Sequence, residues 1–208
     1  MDVFKDLSKS ERALFKRLNT PAKVQDFLET LPFNFEKNGE TCRSPRQVLK
    51  HKRAHCMEGA MLATAILKFH GHKPLIVDLR AHKRDRDHAI AVFKTDGKWG
   101  AISKTNHAVL RYREPVYDSV RELVMSYFHE YFLDDGRKTL ESYSLPADLC
   151  RFDHQNWITS DKDLWYIDEY LNRARHIKIL NKKQAASLRR ADPVEIAAGR
   201  LITWKNKK

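Results

Sequence analysis

The sequence predicts an α+β domain, and three features carry that prediction. The run 56–70 is small and apolar on nearly every side through Met57, Ala60, Met61, Ala63, Thr64, Ala65, Ile66 and Leu67, the pattern of a buried helix. Asp96-Gly97 separates two strand-like runs, 87–94 and 98–103, and this dipeptide is a strong short-range hairpin signal. Amphipathic helical spacing lies on both sides of that helix-and-hairpin unit, at 8–18 and at 119–132. Helices, then a helix with a strand meander, then helices again is an α+β order.

Each element follows from local chemistry. Ala13, Leu14 and Leu18 give 8–18 one apolar stripe. Thr20-Pro21 reads as N-cap and first helical residue of a second helix carrying Val24, Phe27, Leu28 and Leu31, which Pro32 ends. Asn38-Gly39 marks a turn in the following loop. Ser44-Pro45 opens a short helix through Gln47, Val48 and Leu49. Gly71 stops the buried helix. The continuous apolar run in 73–79 then predicts a central strand. In 119–132, Leu123, Val124, Tyr127, Phe128 and Tyr131 recur at helical spacing. Leu145-Pro146 is expected to end a main body of residues 1–145, with its core at 42–132. Residues 146–208 are expected to form a basic extension packed in part on that core. They contain aromatic pieces around Trp157, Trp165 and Tyr166, and a capping Asp192-Pro193 before a last short helix.

Composition narrows the function classes. At 42% hydrophobic and 10% aromatic residues, the chain has enough apolar content to fold, unlike a disordered segment. No run approaches the ~18–20 consecutive apolar residues of a membrane span, and residues 1–18 lack the apolar stretch of a secretory signal. Three cysteines, Cys42, Cys56 and Cys150, show no C-x-x-C spacing. A disulfide framework is therefore not expected, and a reducing, cytoplasmic setting is. The net charge of +12 is concentrated at the C-terminal end: residues 171–208 hold eleven Lys/Arg against two Asp/Glu, leaving +3 for the first 170 residues. A weak polyanion contact through 171–208 is one reading of that segment, and a solvated basic helical face is the other. Ten histidines are present, but they lie among Lys and Arg, and no H-E-x-x-H occurs. No metal or other cofactor is expected.

The chemistry-bearing pair is Cys56 with His88. A thiol reacts as its thiolate, which a helix N-terminus and a neighbouring imidazolium both favour. Cys56 opens the buried helix, and His88 opens a strand just before Ala89-Ile90-Ala91-Val92-Phe93. A two-residue turn at Asp96-Gly97 pairs Thr95 with Lys98 and, further out, Ile90 with Ser103 and His88 with Thr105. Ser103 and Thr105 therefore share the face of His88, Thr105 opposite it and Ser103 on the diagonal. A group that orients the imidazole should come from this face. Asn106 just beyond it is a further candidate, although its parity requires the strand to end first. The backbone N–H of Cys56 is the expected oxyanion donor, with Gln47 a side-chain alternative whose bland reading is a surface glutamine. Glu58 is read as tuning the thiol or as complementing the helix dipole. Arg111-Tyr112-Arg113-Glu114-Pro115 is read as a cleft wall or a solvated loop.

These pieces, A-H-C-M-E-G-A at 54–60, D-H-A-I-A-V-F at 87–93 and G-K-W-G-A-I-S at 97–103, resemble the transglutaminase-like superfamily. The resemblance covers about residues 42–110. It implies a papain-like α+β fold in which a nucleophile helix packs on an antiparallel sheet with flanking helices. It further implies Cys56 as nucleophile, His88 as base and Trp99 as a structural hairpin residue. Where the family usually has aspartate, fifteen residues after the histidine, this chain has Ser103. Serine can accept a hydrogen bond from the ring but cannot offset imidazolium charge. The expected activity is cysteine-dependent amide hydrolysis or acyl transfer on a protein, peptide or other amide substrate, with Ser103 or Asn106 orienting His88. The alternative is an inactive relative that binds partners through its basic C-terminal surface.

Overall fold

The computed structural model describes residues 2–206. In chain order the helices are α1 (Lys9–Arg17), α2 (Pro21–Thr30), α3 (Pro45–His51) and α4 (Cys56–Phe69), followed after four strands by α5 (Val120–Phe128), and then α6 (Trp165–Arg173), α7 (Lys182–Ala186) and α8 (Pro193–Gly199). The strands are β1 (Leu75–Ala81), β2 (His88–Thr95), β3 (Lys98–Ser103), β4 (Arg113–Tyr117), β5 (Leu140–Ser144), β6 (Ala147–Asp148) and β7 (His176–Lys178). The fold is α+β. Its seven-stranded sheet runs β4-β3-β2-β1-β5-β7, with β6 also on β1, and the pairings are antiparallel.

The caps explain where the first helices begin. Ser8, Thr20 and Ser44 each accept a backbone N–H three residues on, and Pro21 and Pro45 occupy first-turn positions where no N–H is required. At the hairpin, Asp96 and Gly97 both have positive φ, 50° and 81°, the backbone that matches the twist of the flanking strands. That turn sets the β2–β3 register, with Ile90 opposite Ser103.

Alternation along the strands divides the interior in two. Ile76, Ala89, Ala91, Phe93 and Ile102 join a core with α4, α2, Phe15 and Val48. Val77, Leu79, Ile90, Val92 and Ala101 join a second core with Leu123, Val124, Tyr127 and Phe128 of α5. Residues beyond Pro146 enter the first core as well: Leu149, Phe152, Trp157, Ile158, Leu164, Ile167 and Leu171 are all buried there. β7 is tied to the sheet centre by His176 Nε2, 2.8 Å from Asp78 Oδ2.

Two expectations change. The helix expected over 119–132 ends at Phe128; the chain then turns at Gly136, whose φ is +79°, and Phe132 bridges Lys138. The 111–115 segment is not a free loop but leads into edge strand β4, where Pro115 is tolerated because edge positions can lack a ladder N–H. The C-terminal segment is tied to the body: Thr203 N–H donates to Asn106 C=O at 2.9 Å and Ala108 N–H to Leu201 C=O at 2.9 Å. Its arginines form exposed pairs, Arg200 with Asp134 and Arg189 with Asp192 and Glu195. No helix among the described residues is long and apolar enough to cross a membrane.

Candidate active site

Cys56 is the first residue of α4, where the amide N–H groups of the first turn have no intrahelical partner and the dipole favours negative charge. The turn is locked from outside by Glu58, which is fully buried. Its carboxylate accepts hydrogen bonds from Thr41 Oγ1 at 2.8 Å, from Asn34 Nδ2 at 3.1 Å, and from the N–H groups of His55 and Arg43 at 3.1 and 3.2 Å. A buried carboxylate is tolerable only with such a set of donors. Glu58 therefore anchors the 34–43 loop to the helix start rather than facing solvent as an ordinary first-turn acid.

One turn into α4, Gly59 lets β3 approach. A Cβ there would lie 2.4 Å from Lys104 Cβ, so any larger residue would push the end of β3 away from α4. Lys104 is itself fully buried. Its Nζ donates to the Leu28 and Leu31 carbonyls at 2.9 and 2.6 Å, closing the C-terminal end of α2. Burial lowers its ammonium to about 8.

The imidazole of His88, at the first residue of β2, is buried. Its Nε2 lies 2.7 Å from Ser103 Oγ, and Ser103 Oγ donates to the Leu110 carbonyl at 2.5 Å. Because the serine proton goes to that carbonyl, Ser103 accepts from His88 Nε2–H. The other ring nitrogen is left free for Cys56, whose thiol feels both hydrogen bonding and charge from His88. Ser103 is held from behind as well: Gln25 of α2 accepts its N–H and donates to its C=O, both at 2.9 Å. Leu110, at φ +59°, is fixed by its own N–H donating to Glu130 at 2.7 Å.

A second histidine reaches the sulfur. His55, the N-cap residue of α4, hydrogen-bonds Cys56 and has its Nε2 2.9 Å from the Thr41 carbonyl. Burial alone would push the Cys56 thiol up, but the hydrogen bonds and charges of His55 and His88 override it and hold the thiol well below its ordinary range. Burial likewise opposes charge on His55, yet the bond to Cys56 and the nearby Glu58 raise it to about 9.

Cys56, His88 and Ser103 thus lie together, and Asn106 does not join them. Both ends of its amide are spent on the C-terminal segment, Nδ2 donating to Trp204 C=O at 3.0 Å and Oδ1 accepting from Trp204 N–H at 2.8 Å. Thr105 Oγ1 accepts from His107 N–H at 3.1 Å, because β3 ends at Ser103 and the pairing that would have set Thr105 opposite His88 is lost. Gln47 is buried rather than on the surface, with its amide on Asp161 at 2.8 Å. His55 and Gln25 were not singled out from the sequence. The adjacency A-H-C at 54–56 was the available signal for His55; Gln25 carried none, since it sits in a helix otherwise read for its apolar face.

A polar cleft of about 650 Å³ runs between the 34–41 loop and the β1–β2 loop. Its walls include Glu36, 3.6 Å from His55 Nε2, and Asp87, the chain neighbour of His88. Among the described residues, no group of three or more His, Cys, Asp or Glu could hold a metal ion. No protein-family model matches the chain, and no curated protein matches it significantly.

Proposed function

We propose that the chain is a transglutaminase-like cysteine enzyme, an amide hydrolase or acyl transferase with a papain-like arrangement of nucleophile helix and histidine strand. One observation carries the reading: the His88 imidazole, which lowers the thiol of Cys56 at a helix N-terminus, has its Nε2 fixed 2.7 Å from Ser103 Oγ. This is the relay a thiol nucleophile needs, an activated sulfur, a proton carrier and a group that fixes the carrier's orientation.

The thiolate adds to the amide carbonyl carbon, and the developing oxyanion takes the free first-turn N–H of Cys56. As the C–N bond breaks, His88 passes its proton to the leaving amine and a thioester remains. Water or an acceptor amine then gives a proton to His88 and attacks the thioester, and the C–S bond breaks to return the thiolate. Ser103 keeps the ring aligned but offers no charge to the imidazolium, so turnover should be slower than with a carboxylate in its place. The cleft beside His55 and His88, lined by Glu36, Asp85, Asp87, Arg80 and Arg86 among others, suits a polar peptide segment better than an apolar one.

The test is turnover of glutamine-containing peptides, with and without a primary amine, by the wild type and by Cys56→Ala. The reading requires Cys56-dependent release of ammonia and a trapped acyl-enzyme on Cys56. No Cys56-dependent turnover, together with a thiol as slow to alkylate at pH 6 as a free cysteine, overturns it.

A further inference from the structure

We infer that His55 is a second catalytic imidazole, one that holds the Cys56 sulfur as a thiolate while His88 alone carries protons. The assignment rests on the cysteine-enzyme reading and divides its labour between two rings that touch the same sulfur.

The surroundings of the two rings differ in kind. His55 Nε2 points at the Thr41 carbonyl at 2.9 Å. A carbonyl only accepts, so Nε2 carries a proton, and the remaining nitrogen is left between the Cys56 thiol and the Glu58 N–H of the first turn. With a thiolate as its second acceptor, the ring can use two N–H groups at once, which only the imidazolium has. Two carboxylates stand behind that cation, Glu36 Oε1 and Glu58 Oε1, each 3.6 Å from Nε2. His88, by contrast, meets a hydroxyl, Ser103 Oγ, and the carboxylate next to it in sequence is turned away, Asp87 accepting from Ala81 N–H at 2.8 Å. A cation backed by carboxylates keeps its proton, whereas a ring backed by a hydroxyl can give its proton up and recover it.

The other charged and titratable groups around the pair fit this division. Asp168 of α6 faces both Cys56 and His55, and its carboxyl is pushed up by burial and then by the sulfur's charge, with Asn172 donating to it at 2.9 Å. Arg43, whose Nε is 4.0 Å from Glu58, the buried Cys42 thiol, raised by Asp168 and Glu58, and the Tyr131 hydroxyl, donating to Arg86 C=O at 2.6 Å, also stand near the pair. The raised position of His55, about 9, agrees with a ring that stays charged at neutral pH.

In acylation the thiolate adds to the carbonyl carbon, the C–N bond breaks and the proton of His88 leaves with the amine. In deacylation His88 takes a proton from the incoming water or amine as the C–S bond breaks, and the sulfur departs as a thiolate next to a still-protonated His55. The His55 proton is not consumed at either stage.

The experiment follows thiolate absorbance at 240 nm and the iodoacetamide rate of Cys56 from pH 4 to 9. It compares the full-length wild type, His55→Gln and His88→Gln, with Cys56→Ala as blank and thermal melts as a check on folding. In His55→Gln the thiol midpoint should rise by about one unit or more and alkylation at pH 6 fall about tenfold. His88→Gln should keep a thiolate at pH 7 while losing amide turnover. A wild-type pH profile in His55→Gln, or a thiolate lost as fully in His88→Gln, overturns the assignment. Should His55→Gln fail to fold, NMR titration of the His55 ring in wild type and Cys56→Ser decides: a midpoint near the ordinary 6.5 in the wild type overturns it. Neither readout depends on turnover. A His55-dependent thiolate without any amide turnover would remove the enzyme reading on which the assignment rests, whereas turnover with an unchanged His55→Gln profile removes the assignment alone.

Discussion

Two cysteines flank the same part of α4 and end up with opposite chemistry. Cys42, in the loop before α3, is 1% exposed. Burial pushes its thiol far up, and the carboxylates of Asp168, Glu58 and Asp163 push it further. Cys56 also pays for desolvation, yet two imidazoles pull its thiol well below the ordinary range. Desolvation pushes both thiols up, Cys42 as a buried residue and Cys56 as a half-buried one, so desolvation does not choose between inert and reactive. The charge of the neighbours does, and three residues of backbone placement (His55 at the N-cap, Cys56 at the first helical position, His88 at a strand start) supply that charge at Cys56 only.

The sharpest way to break this contrast is Cys56→Ala. Turnover should fall by about 10⁴-fold or more, and peptide mapping after brief iodoacetamide treatment at pH 6 should find no label on Cys42. Label on Cys42 in the native protein would show that the two environments are not as different as their neighbours imply. Next in size, His88→Ala should lower kcat by about 10²–10⁴-fold with the thermal melt close to wild type, read by steady-state kinetics beside calorimetry. Ser103→Ala removes the acceptor that aligns His88 Nε2–H and should cost about 10- to 100-fold in kcat, with little change in KM.

Gly59→Ala probes the approach of helix to strand without touching any site side chain. The new methyl would meet Lys104 Cβ at 2.4 Å, and overpacking of this kind costs about 1–3 kcal/mol; denaturant unfolding should show the loss and kinetics a drop in kcat. The smallest effect is a pH dependence. A His55 ring raised to about 9 from its ordinary 6.5 contributes stability that is full below pH 6.5 and fades as pH rises through 9. The difference in Tm between wild type and His55→Gln should therefore narrow across that window, and a difference that widened instead would give the ring the wrong sign.

Much of the site could be read from residue order because local rules govern it. The Asp96-Gly97 turn imposes a register in which Ser103 must share the face of His88, and a small-residue helix beginning at Cys56 puts a sulfur at a positive helix end. The same arithmetic failed one pair further out. It carried β3 on to Thr105 and brought Asn106 into play, whereas β3 ends at Ser103 and Lys104 turns inward over Gly59 to reach the end of α2. Short strands such as β6 and β7, of two and three residues, have too few alternations to announce themselves; their pairing depends on β1 and β5 already being in place.

What the sequence by itself determined is the class of fold, the hairpin register and the presence of a cysteine and a histidine at positions where chemistry is possible, because turn backbone, helix caps and apolar spacing act over a few neighbouring residues. Only the tertiary structure decided which imidazoles meet the sulfur and what stands behind each of them. Those contacts join residues 25, 41, 58, 88, 103 and 110, and the energy that arranges them is the satisfaction of buried polar groups. That requirement exists only once the chain has closed around them.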